Sequence, residues 1–357
     1  MLAALDENPY PLLRRLRETD PACWVPELNA WLVTRYDLAV QVMKDSGRFT
    51  VDDPRFTTAR VTGPSMLSLD GPAHARMRNA FTRGLRPEAL RRDFVAAETA
   101  RLIAAVRPRG RAELRREFAG PLAAAVMGDL LGLDQPAGVI LNWYDEIAGT
   151  VAGLAGSTGT GAVATPSFGM LAGHIARAAA EGNSALLAAA ARVLRPEETV
   201  ANAAVLLFGG IETTEGMISN AILHALTYGT LAVEESLRLE PAAAMVDRYA
   251  TRDVALGGAR VRAGDQVTVS ITGANRDPAV FAAPDRYDPA RVNAGRHLAF
   301  AHGPHFCVGA HLARLETGLA AAAVLALPGL RLSGAAVPRG VVFRKPPELS
   351  ATWETRS

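Results

Sequence analysis

Cysteine is almost missing from this chain. Only Cys23 and Cys307 occur, far apart and in different contexts, so no disulfide framework is expected to hold the fold. The short, acidic start from Met1 to Tyr10 has no signal-peptide pattern, and with so little cysteine the expected compartment is the reducing cytoplasm. No run of about 18 apolar residues is present, which argues against a bilayer-spanning helix. An excess of either charge is also lacking: 38 Lys and Arg stand against 36 Asp and Glu, a balance that argues against nucleic acid as the main partner. There is no Ser/Gly linker, no shift in composition and no fixed-period repeat, so residues 1–357 read as one large unit. The 49% of hydrophobic residues suffices for a sizeable core.

What is present reads as mainly α with small β-sheets. Apolar periodicity predicts helices over Pro9–Glu18, from Leu38 to Met43, in pieces between Pro87 and Leu133, and from Ala310 to Leu325. Ala30 to Thr34 reads as a strand, and Val254 to Ser270 as hairpins. Thr50 to Leu69 is rich in Asp, Pro, Thr, Gly and Ser and is expected to be a loop; Trp143 to Ser184 holds helical pieces around the interruption Gly153 to Ala162. The longest helix is predicted from Thr199 to Leu226, apolar on several faces. It therefore runs through the core, and its polar group Glu212-Thr213-Thr214, preceded by Gly209 and Gly210, needs an explanation. Each glycine costs roughly 1 kcal/mol relative to alanine in a helix.

The chain is organised around Cys307. Gly303 and Pro304 break regular structure ahead of it and a helix follows, so the thiol sits on a turn at a helix N-terminus. The positive end of the dipole favours a thiolate there, a strong axial ligand for haem iron. Taken alone, a cysteine before a helix is also compatible with plain packing. Zinc is another reading, because His302, His305 and His311 lie close by, but the paired cysteines of structural zinc sites are missing.

The run Phe300-x-x-Gly303-x-His305-x-Cys307-x-Gly309 resembles the haem-ligand loop of the cytochrome P450 family at every fixed position. Three further stretches are similar to P450 motifs: His74-x-x-x-Arg78 after Pro72, Gly209-Gly210-Ile211-Glu212-Thr213, and Glu235-x-x-Arg238 followed by Arg248-Tyr249-Ala250. The resemblance covers nearly the whole chain and implies the P450 fold of the soluble bacterial type. It implies Cys307 as ligand to the iron of haem b, with Phe300, His305 and Gly309 beside it. His74, Arg78, Arg248 and His305 are implied as propionate donors. O₂ is placed beside Gly209 on a helix that widens locally, its two glycines letting it approach haem, and Glu212 and Thr213 are implied to manage protons. Glu235 and Arg238 take a structural role behind the haem.

By family position the substrate faces Met66, Leu67, Leu206, Phe208, Ala243, Met245 and Val246, mostly apolar, which fits a hydrophobic or mid-sized organic molecule such as a secondary-metabolite intermediate. Since no reductase domain is visible, electrons are expected from a separate ferredoxin and its reductase, and the enzyme is expected to be monomeric. Alternatives are a haem-thiolate sensor or carrier without turnover, or an atypical oxidation such as ring coupling or a peroxide-driven reaction. One departure stands out: only 22 positions separate Thr213 from Glu235, where P450s have roughly a dozen more, about 18 Å of helix. Either a connecting helix is truncated near His224 to Leu231 or residues are missing there.

Overall fold

A computed structural model describes residues 1–154 and 159–355; residues 155–158 of the Gly/Ser/Thr-rich interruption lie outside them. Its axis is the helix Pro196–Tyr228, 33 residues or roughly 50 Å long, with most of its last twenty residues buried. The Glu198 carboxylate accepts the Arg195 N–H at its start (2.9 Å). At its end Gly229 turns left-handed, at φ 77°, and returns its N–H to Ala225.

Around this axis three helices, Gly120–Leu131, Ala137–Gly153 and Pro166–Glu181, enclose one apolar cluster containing Phe81, Trp143, Tyr144, Leu207 and Ile211. On the other side Arg92–Val106 and Ala310–Leu325 enclose a second cluster with Ile218, Ile222 and Val324. A five-stranded sheet flanks the bundle in the order Ala22–Val25, Ala30–Val33, Gln266–Ser270, Met245–Ala250, Phe49–Thr50. Only the Ala30–Val33 pairing with Gln266–Ser270 is parallel, joining chain segments more than two hundred residues apart.

Two expectations change. The stretch 50–69 holds a helix, Thr57–Thr62, where polar turn residues predicted a loop, because Val61 packs into the first apolar cluster. The long helix stays α-helical through Gly209–Thr213 without widening: Thr213 Oγ1 donates to the Gly209 carbonyl at 2.7 Å and Met127 braces Gly210 from outside. The short spacing after Thr213 is spanned without a further helix. Gly229 to Ala232 link the long helix directly to Val233–Leu239, and the Tyr287 hydroxyl ties this link down, accepting from Ala232 N (3.0 Å) and donating to the Thr230 carbonyl (3.1 Å). Tyr228 stacks on Tyr287, 4.6 Å between ring centroids.

Candidate active site

The loop before Ala310–Leu325 is built to present Cys307. Gly303 has φ 73°, and a Cβ there would lie 2.6 Å from the Met43 carbonyl, so both conformation and contact demand glycine. Cys307 N donates to the Phe300 carbonyl at 2.9 Å, and Phe300 is held by the Arg314 guanidinium over its ring at 4.4 Å. A Cβ on Gly309 would meet only the Cys307 sulfur, at 4.0 Å. Burial pushes the thiol up, while the Gly309 N–H and the charges of Arg78 and Arg314 pull the other way. Among the described residues no cluster of three His, Cys, Asp or Glu converges as a metal site, which removes the zinc reading of His302, His305 and His311.

Beside the loop lies a set of buried and half-buried donors. His74 is 5% exposed and its Nε2 has no partner; burial, then the charges of His305 and Arg78, hold its imidazole down at about 4. Arg248 is as deeply buried, and among the described residues its guanidinium bonds only the carbonyl of its neighbour Asp247, 2.7 Å away; burial lowers it to about 10. Arg78 reaches the Phe306 carbonyl at 2.6 Å. Leaving such groups without an anion is costly, so the donor set fits a ligand that brings carboxylates, as the two propionates of haem would. His305 differs from the other three. Its Nε2 lies 2.9 Å from Asp70 Oδ1, and although burial opposes it, that bond with those from Thr50 and Val51 holds the Asp70 carboxyl down at about 2.

Across from the loop, the long helix opens one face. Leu206, Gly209, Gly210 and Thr213 are partly exposed in a stretch otherwise buried, and their spacing of three and four places them on one side. The two glycines do different jobs. A Cβ on Gly209 would meet nothing within 4 Å, whereas one on Gly210 would lie 2.3 Å from the Met127 sulfur, so Gly210 serves helix packing and only Gly209 leaves space for a ligand. Glu212 turns away from this face and pairs with Lys345 Nζ at 2.8 Å.

Glu235 and Arg238 form a fully buried two-point pair, both bonds 2.7 Å, joined by Arg291. Arg238 also donates to the carbonyls of Asn275 and Pro284 at 3.0 and 2.7 Å, fastening the irregular segment ahead of the cysteine loop. Of the candidate substrate residues, Met66, Leu206 and Phe208 share one apolar cluster, and Ala243 pairs with Phe343, whose ring contacts Phe208 at 6.1 Å. Leu67 is partly exposed beside Met66. Met245 and Val246 go elsewhere: strand alternation packs Met245 with Leu5, Leu13 and Leu32, and Val246 against the cluster of Val267 and Val269. Phe343, Tyr144 and Lys345 were invisible in the sequence, because each reaches the site from a segment without a motif.

The sequence model described as Cytochrome P450 matches residues 218–327. Cytochrome P450 monooxygenase PikC of Streptomyces venezuelae is 35% identical, over 89% of this chain and 83% of its own length. Mycinamicin IV hydroxylase/epoxidase of Micromonospora griseorubida is 32% identical, over 95% and 94%. The crystal structure of CalO2 superposes with a TM-score of 0.86 at 28% identity, covering 98% of this chain and 96% of its own. With the cysteine loop, its neighbouring donors and the opened helix face on one framework, the chain belongs to the cytochrome P450 family and is an enzyme of its monooxygenase class.

Proposed function

We propose that this enzyme inserts one atom of O₂ into an apolar or mid-sized organic substrate, a secondary-metabolite intermediate, with haem b as cofactor and electrons from a separate ferredoxin and its reductase. The observation that carries this reading is the pairing of a cysteine loop flanked by the unpartnered His74 Nε2 and the guanidinium groups of Arg78 and Arg248 with a helix face open at Gly209 and Thr213. Bacterial tailoring enzymes among the relatives, PikC and the mycinamicin hydroxylase, support the substrate class.

Haem, when bound, supplies an iron that takes up electrons and activates O₂. Cys307 is the residue that would ligate it, with Phe300 and Gly309 shaping the loop and His74, Arg78 and Arg248 holding its carboxylates. His305 acts through Asp70, orienting that carboxylate and keeping it off the donors. Phe208, Phe343, Met66 and Leu206 bind the substrate's apolar surface and exclude water. In this reading the Thr213 hydroxyl, which donates to the Gly209 carbonyl, holds a water on the open face, and Glu212, the preceding residue, replenishes the proton from the side of Lys345. Hydroxylation of a C–H bond consumes one O₂, two electrons and two protons and releases one water. The test is the absorption spectrum of the reduced protein under carbon monoxide, which reports thiolate ligation. The parent and Cys23→Ser show the thiolate-type band, and Cys307→Ser loses it; an unchanged Cys307→Ser spectrum rejects the assignment. Cys23 is a sound control, because burial pushes its thiol up to about 11 and it packs among Leu5, Leu13 and Val25.

A further inference from the structure

Behind the open face, Glu212 is the inner end of a chain of charges. Lys345 Nζ bridges Glu212 Oε1, at 2.8 Å, and Glu215 Oε2. Glu215 is 1% exposed and its Oε1 has no hydrogen-bond partner; Arg115 and Arg116 lie 3.6 and 3.8 Å from its carboxylate. Arg116 is 43% exposed and at 3.2 Å pairs with Asp145, itself in solvent. These groups, with Lys345, are the charged partners recorded for the two glutamates, three cations against three carboxylates.

The framework is cut to admit this chain. A Cβ on Gly120 would sit 3.0 Å from Glu215 Oε1, and one on Gly216 would lie 2.8 Å from Ala242 and 3.7 Å from the Lys345 side chain. Arg115 and Arg116 open a π-helical turn, Arg115–Ala119, a form that concentrates at functional sites. Lys345 itself is held by its neighbour. The buried Arg344 guanidinium bonds Glu240 and the carbonyls of Leu5, Asp6, Gly340 and Pro338, while Asn220 of the long helix donates to the Arg344 carbonyl at 3.0 Å. A buried ion network contributes little stability over apolar packing of equal volume, so its place directly behind Glu212 calls for another use.

We propose that Glu215 and Lys345 form the proton inlet of this enzyme, carrying protons from solvent at Arg116 and Asp145 to Glu212. In each passage the Lys345 ammonium gives a proton to the Glu212 carboxylate and recovers one from Glu215, which takes its own from water at the unpaired Oε1; the net transfer is one proton from solvent to Glu212. This inference rests on Glu212 serving the relay described above.

The experiment uses the haem-loaded enzyme with Lys345→Met, Lys345→Arg, Glu215→Gln and Glu212→Gln, and Arg101→Gln as a surface control. Arginine keeps the positive charge but does not release a proton, so Lys345→Arg separates holding Glu212 from feeding it. Two readouts are taken: product per reductant with its solvent isotope effect, and the infrared carbonyl band of un-ionised carboxylic acid. Lys345→Met is expected to gain that band, since two buried carboxylates lose their shared cation, whereas Lys345→Arg stays without it. Lys345→Met, Lys345→Arg and Glu215→Gln should all lose product formation on the order of 10²-fold, the low end of general acid–base contributions, with an altered isotope effect and an unchanged carbon monoxide spectrum. Full coupling in Lys345→Arg shows that Lys345 only positions Glu212 and overturns the inlet; so does parental coupling in Glu215→Gln while Glu212→Gln is slow. If Glu212→Gln itself matches the parent, the relay beneath the inlet is wrong and the inlet goes with it.

Discussion

His305 and His74 face each other ring to ring, 4.3 Å between centroids, and only His305 holds a carboxylate. Asp70 thus neutralises one member of the donor set and leaves His74, Arg78 and Arg248 for an incoming anion. Replacing Arg248 or Arg78 with leucine should weaken haem retention by about 1.5–3 kcal/mol for each lost charge-assisted bond, and His74→Leu by less, as a neutral donor. Haem remaining after stringent dialysis is the measurement. Equal retention in Arg248→Leu and the parent rules out this role.

Thr213 and Thr214 are adjacent but lie about 100° apart around the helix. Thr213 is on the open face, whereas Thr214 is 2% exposed. Thr213→Ala should bind substrate and consume reductant yet divert much of it to hydrogen peroxide, Glu212→Gln should slow turnover with haem binding intact, and Thr214→Ala should change little. Product formed per reductant consumed decides it. Parental coupling in Thr213→Ala would favour a peroxide-driven or non-oxygenating haem protein instead.

The neighbouring glycines separate stability from ligand space. Gly210→Ala must displace Met127 and should cost about 1–3 kcal/mol in unfolding free energy, as overpacked cores do. Gly209→Ala meets no atom and should stabilise the helix by up to about 1 kcal/mol while shifting the haem spectrum or substrate affinity. Denaturant midpoints and binding titrations on both variants test this; the reverse ranking would mean that the open face lies elsewhere.

His224, near the end of the long helix, packs against Tyr228 and Tyr287, and burial, followed by the charge of Arg276, holds its imidazole down at about 4. Because this lies below the unfolded value of 6.5, the unfolded chain takes up the proton first. The stabilisation is complete above pH 6.5 and is lost as pH falls toward 4, on the order of 3 kcal/mol in all. In His224→Leu the slope of stability against pH over that window should flatten. Parallel curves for variant and parent would show that His224 is not the group responsible.

The sequence by itself determined the cysteine loop and the helices around it. Each is encoded within a few consecutive residues: Gly303 and Pro304 set the turn, and apolar periodicity placed Ala310–Leu325 at its observed bounds. The Glu235–Arg238 pair was legible for the same reason, as one turn of helix. Tertiary structure alone decided which side chains meet across the chain. His305 finds Asp70 over 235 positions and Lys345 finds Glu215 over 130, and no local pattern marks either partner. It also decided that Gly210 belongs to Met127 and that Met245 faces the N-terminal helices. One residue along a helix rotates a side chain by about 100°, and one along a strand sends it to the opposite face, so partner choice follows from how the elements pack against each other.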